Sequence, residues 1–103
     1  MLTEQQVEHF VRFGYVIIPN AASAEETGTL RDVTEAQLAS RVAPFELEAD
    51  VHYPGAPENK GAAGGETIRR LLHAHGRHEA YTNWAEKPSI TAAIKQLLSA
   101  ESL

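Results

Sequence analysis

Two helix-start signals, with a β-branched run between them, constrain this chain more than any other feature. Thr3 is followed three residues later by Gln6, and Ser23 by Glu26. Each pair has the form of a capping box: the hydroxyl accepts from a backbone N–H, and the Gln or Glu side chain reaches back to the cap's own N–H. Leu2 and Val7 stand where a hydrophobic staple would bracket the first box. Val7, Phe10 and Val11 then recur at helical spacing, with Glu4, Glu8 and Arg12 on other faces. Gly14 supplies the stop, because it enters the left-handed region at little cost. Next comes Tyr15-Val16-Ile17-Ile18, bounded by Pro19 and Asn20. It is aromatic and β-branched and does not alternate, which predicts a strand buried on both faces. The second box opens a helix expected over 24–40, with Leu30, Val33 and Leu38 inward. Gly28 inside that helix weakens it by roughly 1 kcal/mol relative to Ala.

Beyond Pro44 the period changes. Phe45, Leu47, Ala49 and Val51 alternate with Glu46, Glu48 and Asp50, the pattern of an extended strand with one wet face. Tyr53-Pro54-Gly55-Ala56-Pro57 is a turn sequence, and 54–65, rich in Gly and Ala without periodicity, reads as a mobile loop. Ile68, Leu71 and Leu72 suggest a short helix starting at Thr67 and ending near Gly76. Residues 78–86 read as another, with Tyr81, Trp84 and Ala85 on its apolar side. After Pro88, the residues Ile90, Ala93, Ile94, Leu97 and Leu98 make the clearest amphipathic stripe in the chain.

These elements have little to bury. Only 23 of the 103 residues are Leu, Ile, Val or Phe, while 16 are Ala, so any core is thin. With no Cys there is no disulfide framework, thiolate metal site or cysteine nucleophile. No run of 18 apolar residues is present, and the N-terminal residues carry acids without a basic region. The expectation is a soluble cytoplasmic protein without a signal peptide or membrane span. Net charge is −5, with −6 in residues 1–50 and +1 in 51–103. Neither half has a basic stripe, so no nucleic-acid partner is expected.

Several residue groups bear on chemistry. His73, His75 and His78, with Glu79 beside them, suggest a metal site. On a helix, however, His73 and His75 point about 200° apart. Gly76 interrupts the 75–78 pair, and no HExxH motif exists. They are read as histidines without metal that give some pH sensitivity. Arg69-Arg70, at the expected helix start, would suit an anion held by guanidinium and free N–H groups. The preferred reading is a local ion pair of Glu66 with either Arg, or a solvated pair. Gly64-Gly65 completes neither GxxxxGK[ST] nor GxGxxG and reads as a hinge. Glu46 and Glu48 share the wet strand face without being marked as acid and base, and no GxSxG elbow is present.

Three stretches carry a family resemblance. LTEQQVEHFVRFGYVIIPNAAS at 2–23 resembles the opening of phytanoyl-CoA dioxygenase family proteins, in which a first helix runs into a GY-hydrophobic-hydrophobic-P strand and then a second capped helix. PFELEADVHYPGAP at 44–57 and TIRRLLHAHGRHEAY at 67–81 are similar to the bacterial branch of the family. The resemblance runs from Leu2 to about Leu98 and covers only the beginning of the family's domain. It implies an Fe(II)- and 2-oxoglutarate-dependent oxygenase acting on a small organic molecule or acyl thioester. The implied fold is a double-stranded β-helix, a jelly roll flanked by helices, with iron held by an HxD…H facial triad.

None of that triad carries over, because no HxD or HxE occurs in this sequence. The expected fold class is therefore α+β: the mostly helical N-terminal part of a jelly-roll oxygenase, with one or two strands and the main jelly-roll strands missing. The whole chain, 1–103, is one incomplete domain in this reading, cut short about where the first triad strand would begin. No catalytic residue and no metal ligand is assigned, and the chain alone is expected to be inactive. Fe(II) and 2-oxoglutarate belong to the complete family domain. Tyr53, on the Tyr-Pro-Gly turn, and Arg69, after the loop, are the candidates for a substrate entrance. The alternative is a small helical interaction module that docks, or self-associates, through Ile90, Ile94, Leu97 and Leu98.

Overall fold

In the computed structural model, which describes residues 1–102, the chain is α+β, about half helical, with one two-stranded antiparallel sheet. The order is α1 (Glu4–Phe13), α2 (Ala24–Ala39), β1 (Phe45–Leu47), a single 3-10 turn (Glu48–Asp50), β2 (Ile68–Leu71), α3 (Ala74–Arg77), α4 (Glu79–Ala85) and α5 (Pro88–Leu98).

Both capping boxes form. Thr3 Oγ1 accepts from Gln6 N at 3.1 Å, and Gln6 Oε1 accepts from Thr3 N at 2.9 Å. Ser23 and Glu26 repeat the exchange at 3.0 and 3.1 Å. Gly14 ends α1 at φ 80°, its N–H donating to Phe10 O. Leu2, at the expected staple position, is buried, as are Leu47 and Ala93. Gln96 on α5 clamps Leu2 from both sides, accepting from its N–H at 2.9 Å and donating to its carbonyl at 3.3 Å.

Three expected elements differ. Residues 15–18 are extended but form no strand, and Tyr15, Ile17 and Ile18 are 54%, 73% and 37% exposed. A strand needs a ladder partner, and no main-chain hydrogen bond reaches this segment, whose neighbour is the helix α1 through His9 and Tyr15. The 45–51 strand stops at Leu47, because Asp50 Oδ2 accepts from Leu47 N at 2.8 Å and winds the chain into the 3-10 turn. The expected helix from Thr67 is instead β2, paired Phe45↔Leu71, Glu46↔Arg70 and Leu47↔Ile68; only its end, α3, is helical. Over so few residues a helical stripe and a strand with a bulge place apolar residues alike, and pairing with β1 decides between them.

The 54–65 segment is a succession of turns closed by main-chain bonds, among them Ala62 N to Asn59 O and Gly65 N to Ala62 O. It is tied to the 3-10 turn through Ala49 N to Gly65 O, and Glu48 N bonds Thr67 O. α2 and α4 meet through a 2.6 Å hydroxyl contact between Thr34 and Tyr81.

The result is extended. Its radius of gyration is 17.9 Å, with axes of 53 × 30 × 25 Å; a compact chain of this length has about 13 Å. Its accessible surface is 7638 Å², against on the order of 5,700 Å² for a compact protein of this mass. No helix among the described residues is long and apolar enough to cross a membrane.

Candidate functional site

The richest cluster of charged side chains lies on the β1–β2 hairpin, and a β-bulge builds it. The register slips between Glu46 and Leu47, leaving Arg69 as the extra residue of β2. In a regular strand Arg69 and Arg70 would point to opposite faces. The bulge re-aims one of them, so both guanidinium groups reach Glu46. Arg70, directly opposite, donates through Nε and Nη2 to Glu46 Oε2 at 2.5 Å. Arg69 stands 3.6 Å from Glu46 and 3.8 Å from Glu48, both long for hydrogen bonds.

The turn after β1 adds Tyr53. Its hydroxyl donates to Glu48 Oε2 at 2.5 Å, and Arg69 lies 5.5 Å from its ring centroid, within cation–π range. The Glu48 carboxylate, by accepting this proton, pushes the Tyr53 hydroxyl above its usual pKa. Tyr53 and Arg69, the two residues singled out from sequence, are therefore brought into contact. The element differs from expectation, since Arg69 sits on a strand and no helix N-terminus stands behind it. Glu66 is not its ion-pair partner either; Glu46 and Glu48 take that role, and the Glu66 carbonyl accepts from Arg41 at 3.1 Å. Two carboxylates balance two guanidinium groups, so the cluster is neutral. Arg69 keeps unspent N–H donors and its side chain is about one-third exposed.

The histidines do not converge. The rings of His73 and His75 are 6.0 Å apart edge to face. His78 is committed to α4, its Nδ1 accepting from Ala80 N at 3.0 Å. Among the described residues no three His, Cys, Asp or Glu side chains gather as a metal centre requires, so these residues do not fit an iron facial triad.

Sequence reasoning missed Arg77. It donates to Leu72 O at 3.0 Å, Gln37 Oε1 at 2.8 Å and Val42 O at 2.8 Å, and also to Pro44 O. One side chain thus fastens the end of α2, the turn before β1 and the exit of β2. The available signal was that Arg77 has no acid three or four residues away in either direction. A second link joins Lys87 Nζ to Glu26 Oε1 at 2.7 Å and Ala21 O at 2.9 Å, tying the start of α5 to the N-terminus of α2.

No family model matches the chain, and no curated protein or solved structure matches it.

Proposed function

We propose that this chain is the helical N-terminal portion of a phytanoyl-CoA dioxygenase-like, Fe(II)- and 2-oxoglutarate-dependent oxygenase, a framework for a jelly roll rather than a catalyst by itself. The resemblance over 2–23, 44–57 and 67–81 supports the family. The observation that carries the structural half is uncovered apolar surface on a chain whose first two helices are fully capped. Among the described residues only three apolar ones are buried, while Phe13, Tyr15, Ile17 and Leu98 are each more than half exposed. Faces patterned this way are built to pack against a further layer. In this reading Tyr53 and Arg69 border the route by which a small organic substrate or acyl thioester enters. Iron and 2-oxoglutarate belong, in this reading, to the complete family domain.

Complementation tests the reading. A family enzyme stripped of the corresponding helical portion is mixed with this chain, and 2-oxoglutarate decarboxylation is followed. Saturable recovery of turnover is expected, with no turnover by the chain alone. Failure to recover activity, with both pieces folded by circular dichroism, overturns it.

A second reading has a specific observation behind it. Ile94 and Leu98 on α5 are 37% and 61% exposed, so the stripe is open to a partner helix, as an interaction module requires.

A further inference from the structure

The C-terminal cap of α2 carries an arginine where glycine is usual. Val42 N donates to Gln37 O at 3.0 Å and Arg41 N to Leu38 O at 3.2 Å, the paired bonds of a Schellman ending. That ending puts Arg41 in the left-handed region at φ 49°, where a Cβ is strained and glycine or asparagine is the common occupant. What arginine brings there is a guanidinium held at both ends. It lies 5.2 Å from the Phe45 ring centroid, within cation–π range, and donates through Nη1 to Glu66 O at 3.1 Å. Among the described residues no carboxylate stands within ion-pair distance of it, and its remaining donors are unspent.

The glycine-rich loop faces this group. Its turns engage the N–H groups of Ala62, Gly65 and Thr67, while those of Gly61, Ala63 and Gly64 make no hydrogen bond among the described residues. Gly64 takes φ 75°. Successive free N–H groups in turns of this kind make concavities that suit anions. Lys60, exposed and also without a partner among the described residues, lines one open hollow of about 650 Å³ together with Arg41, Gly61, Gly64, Glu66 and Thr67.

Charge makes this hollow unusual. Acids outnumber bases 14 to 9 in the chain, yet two cations without carboxylate partners open onto the same space. The Glu66 side chain pairs with neither, and the three together leave one net positive charge. The donors are of three kinds: a planar guanidinium fork, a mobile ammonium and main-chain N–H groups. A phosphate meets all three at once, because its oxygens point in tetrahedral directions, whereas a carboxylate offers two in one plane.

We propose that Arg41, Lys60 and the free amides of 61–64 form a binding site for a phosphate group, as the free ion or as the monoester of a small organic molecule. The hollow is much larger than the free ion and falls in the size range of small-molecule sites, which favours the ester. The site shares no residue with the Tyr53–Arg69 cluster and does not rest on the oxygenase reading.

Titration of inorganic phosphate and of phenyl phosphate into the 103-residue chain at fixed ionic strength, followed by amide NMR shifts, tests it. Saturable shifts are expected, largest at Gly61, Ala63 and Gly64. Tighter binding of the ester assigns a small organic phosphate and equal binding the free ion; both support the site. Lys60→Gln is expected to weaken binding about tenfold with helical circular dichroism unchanged. Arg31→Gln, which removes another exposed cation on α2, leaves binding unaltered, and Glu66→Gln tightens it severalfold by removing the opposing charge. No saturable shift with either probe, an equal loss in Lys60→Gln and Arg31→Gln, or weaker binding in Glu66→Gln overturns the proposal. None of these results bears on the complementation outcome.

Discussion

Two glycine-to-alanine substitutions in this chain have opposite expected signs. At Gly65 an added Cβ would meet the Asn59 carbonyl oxygen at 2.2 Å and the Lys60 carbonyl oxygen and carbon at 2.8 and 2.9 Å. All three are main-chain atoms, so no side chain can swing aside. The loop cannot slide freely either. Asn59 O accepts from Ala62 N at 3.1 Å, and Gly65 itself bonds Ala62 O at 2.9 Å and Ala49 N at 3.2 Å. Relieving the clash means giving up some of these bonds and loosening the loop from the 3-10 turn. Overpacking of this kind costs about 1–3 kcal/mol. At Gly28, inside α2, nothing lies within 4 Å of the added Cβ, and Ala gains about 1 kcal/mol in helix propensity. For a domain this size each kcal/mol moves the melting temperature by about 4–8 °C. Thermal and urea melts followed by far-ultraviolet circular dichroism are expected to place Gly28→Ala above the parent and Gly65→Ala well below it. A Gly65→Ala variant within about 0.5 kcal/mol of the parent, the noise of surface substitutions, would refute the close-approach argument.

Other outcomes follow from the polar links. Arg77→Lys keeps the charge but loses the planar fork that reaches four acceptors; a loss of about 2 kcal/mol in urea titration is expected, and an unchanged midpoint would show that the fork contributes nothing. The Lys87 ammonium, then the Ser23 N–H, hold the Glu26 carboxyl below its ordinary 4.5, so their stabilisation is present above that value and is lost as pH falls through the lower folded one. Glu26→Gln, which keeps a capping-box side chain, is expected to flatten the acid limb of the melting-temperature profile. The Tyr53 hydroxyl, raised above 10.0 by Glu48, contributes stability below 10 that disappears as pH rises through its folded pKa. Phenolate absorbance, differenced against Tyr53→Phe, should show its titration moving back down in Glu48→Gln.

What could be read in the sequence was what is local. A capping box spans four residues, and both formed with their expected partners; Gly14 and Pro88 likewise mark real helix ends. Strand identity is not local. The 15–18 run has every strand-forming residue and no ladder, whereas 68–71 has a helical stripe and a ladder with β1. The Tyr53–Arg69 contact was half legible: both residues stood out, but only the bulge in β2 and the turn after β1 bring them together. Arg77 was marked only by the lack of an acid three or four residues away; its acceptors are mostly main-chain carbonyls, which no sequence pattern encodes.

The links between distant parts of this chain are polar. Gln96 holds Leu2, Arg77 holds three segments, Lys87 holds Glu26 and Ala21, and Thr34 meets Tyr81. Such bonds contribute about 0.5–1.5 kcal/mol each because water competes for both partners. Apolar burial, normally the dominant favourable contribution to folding, is almost missing between these segments. Polar links fix geometry without supplying much stability, which suits a framework whose stability is completed by another surface. Covering the apolar faces would also remove water from the exposed members of these links. One association event would then strengthen burial and hydrogen bonding together. Residues 15–18 show this most plainly: their backbone makes no main-chain hydrogen bond and Tyr15 and Ile17 are more than half exposed, so one covering surface would supply both the missing ladder and the missing burial.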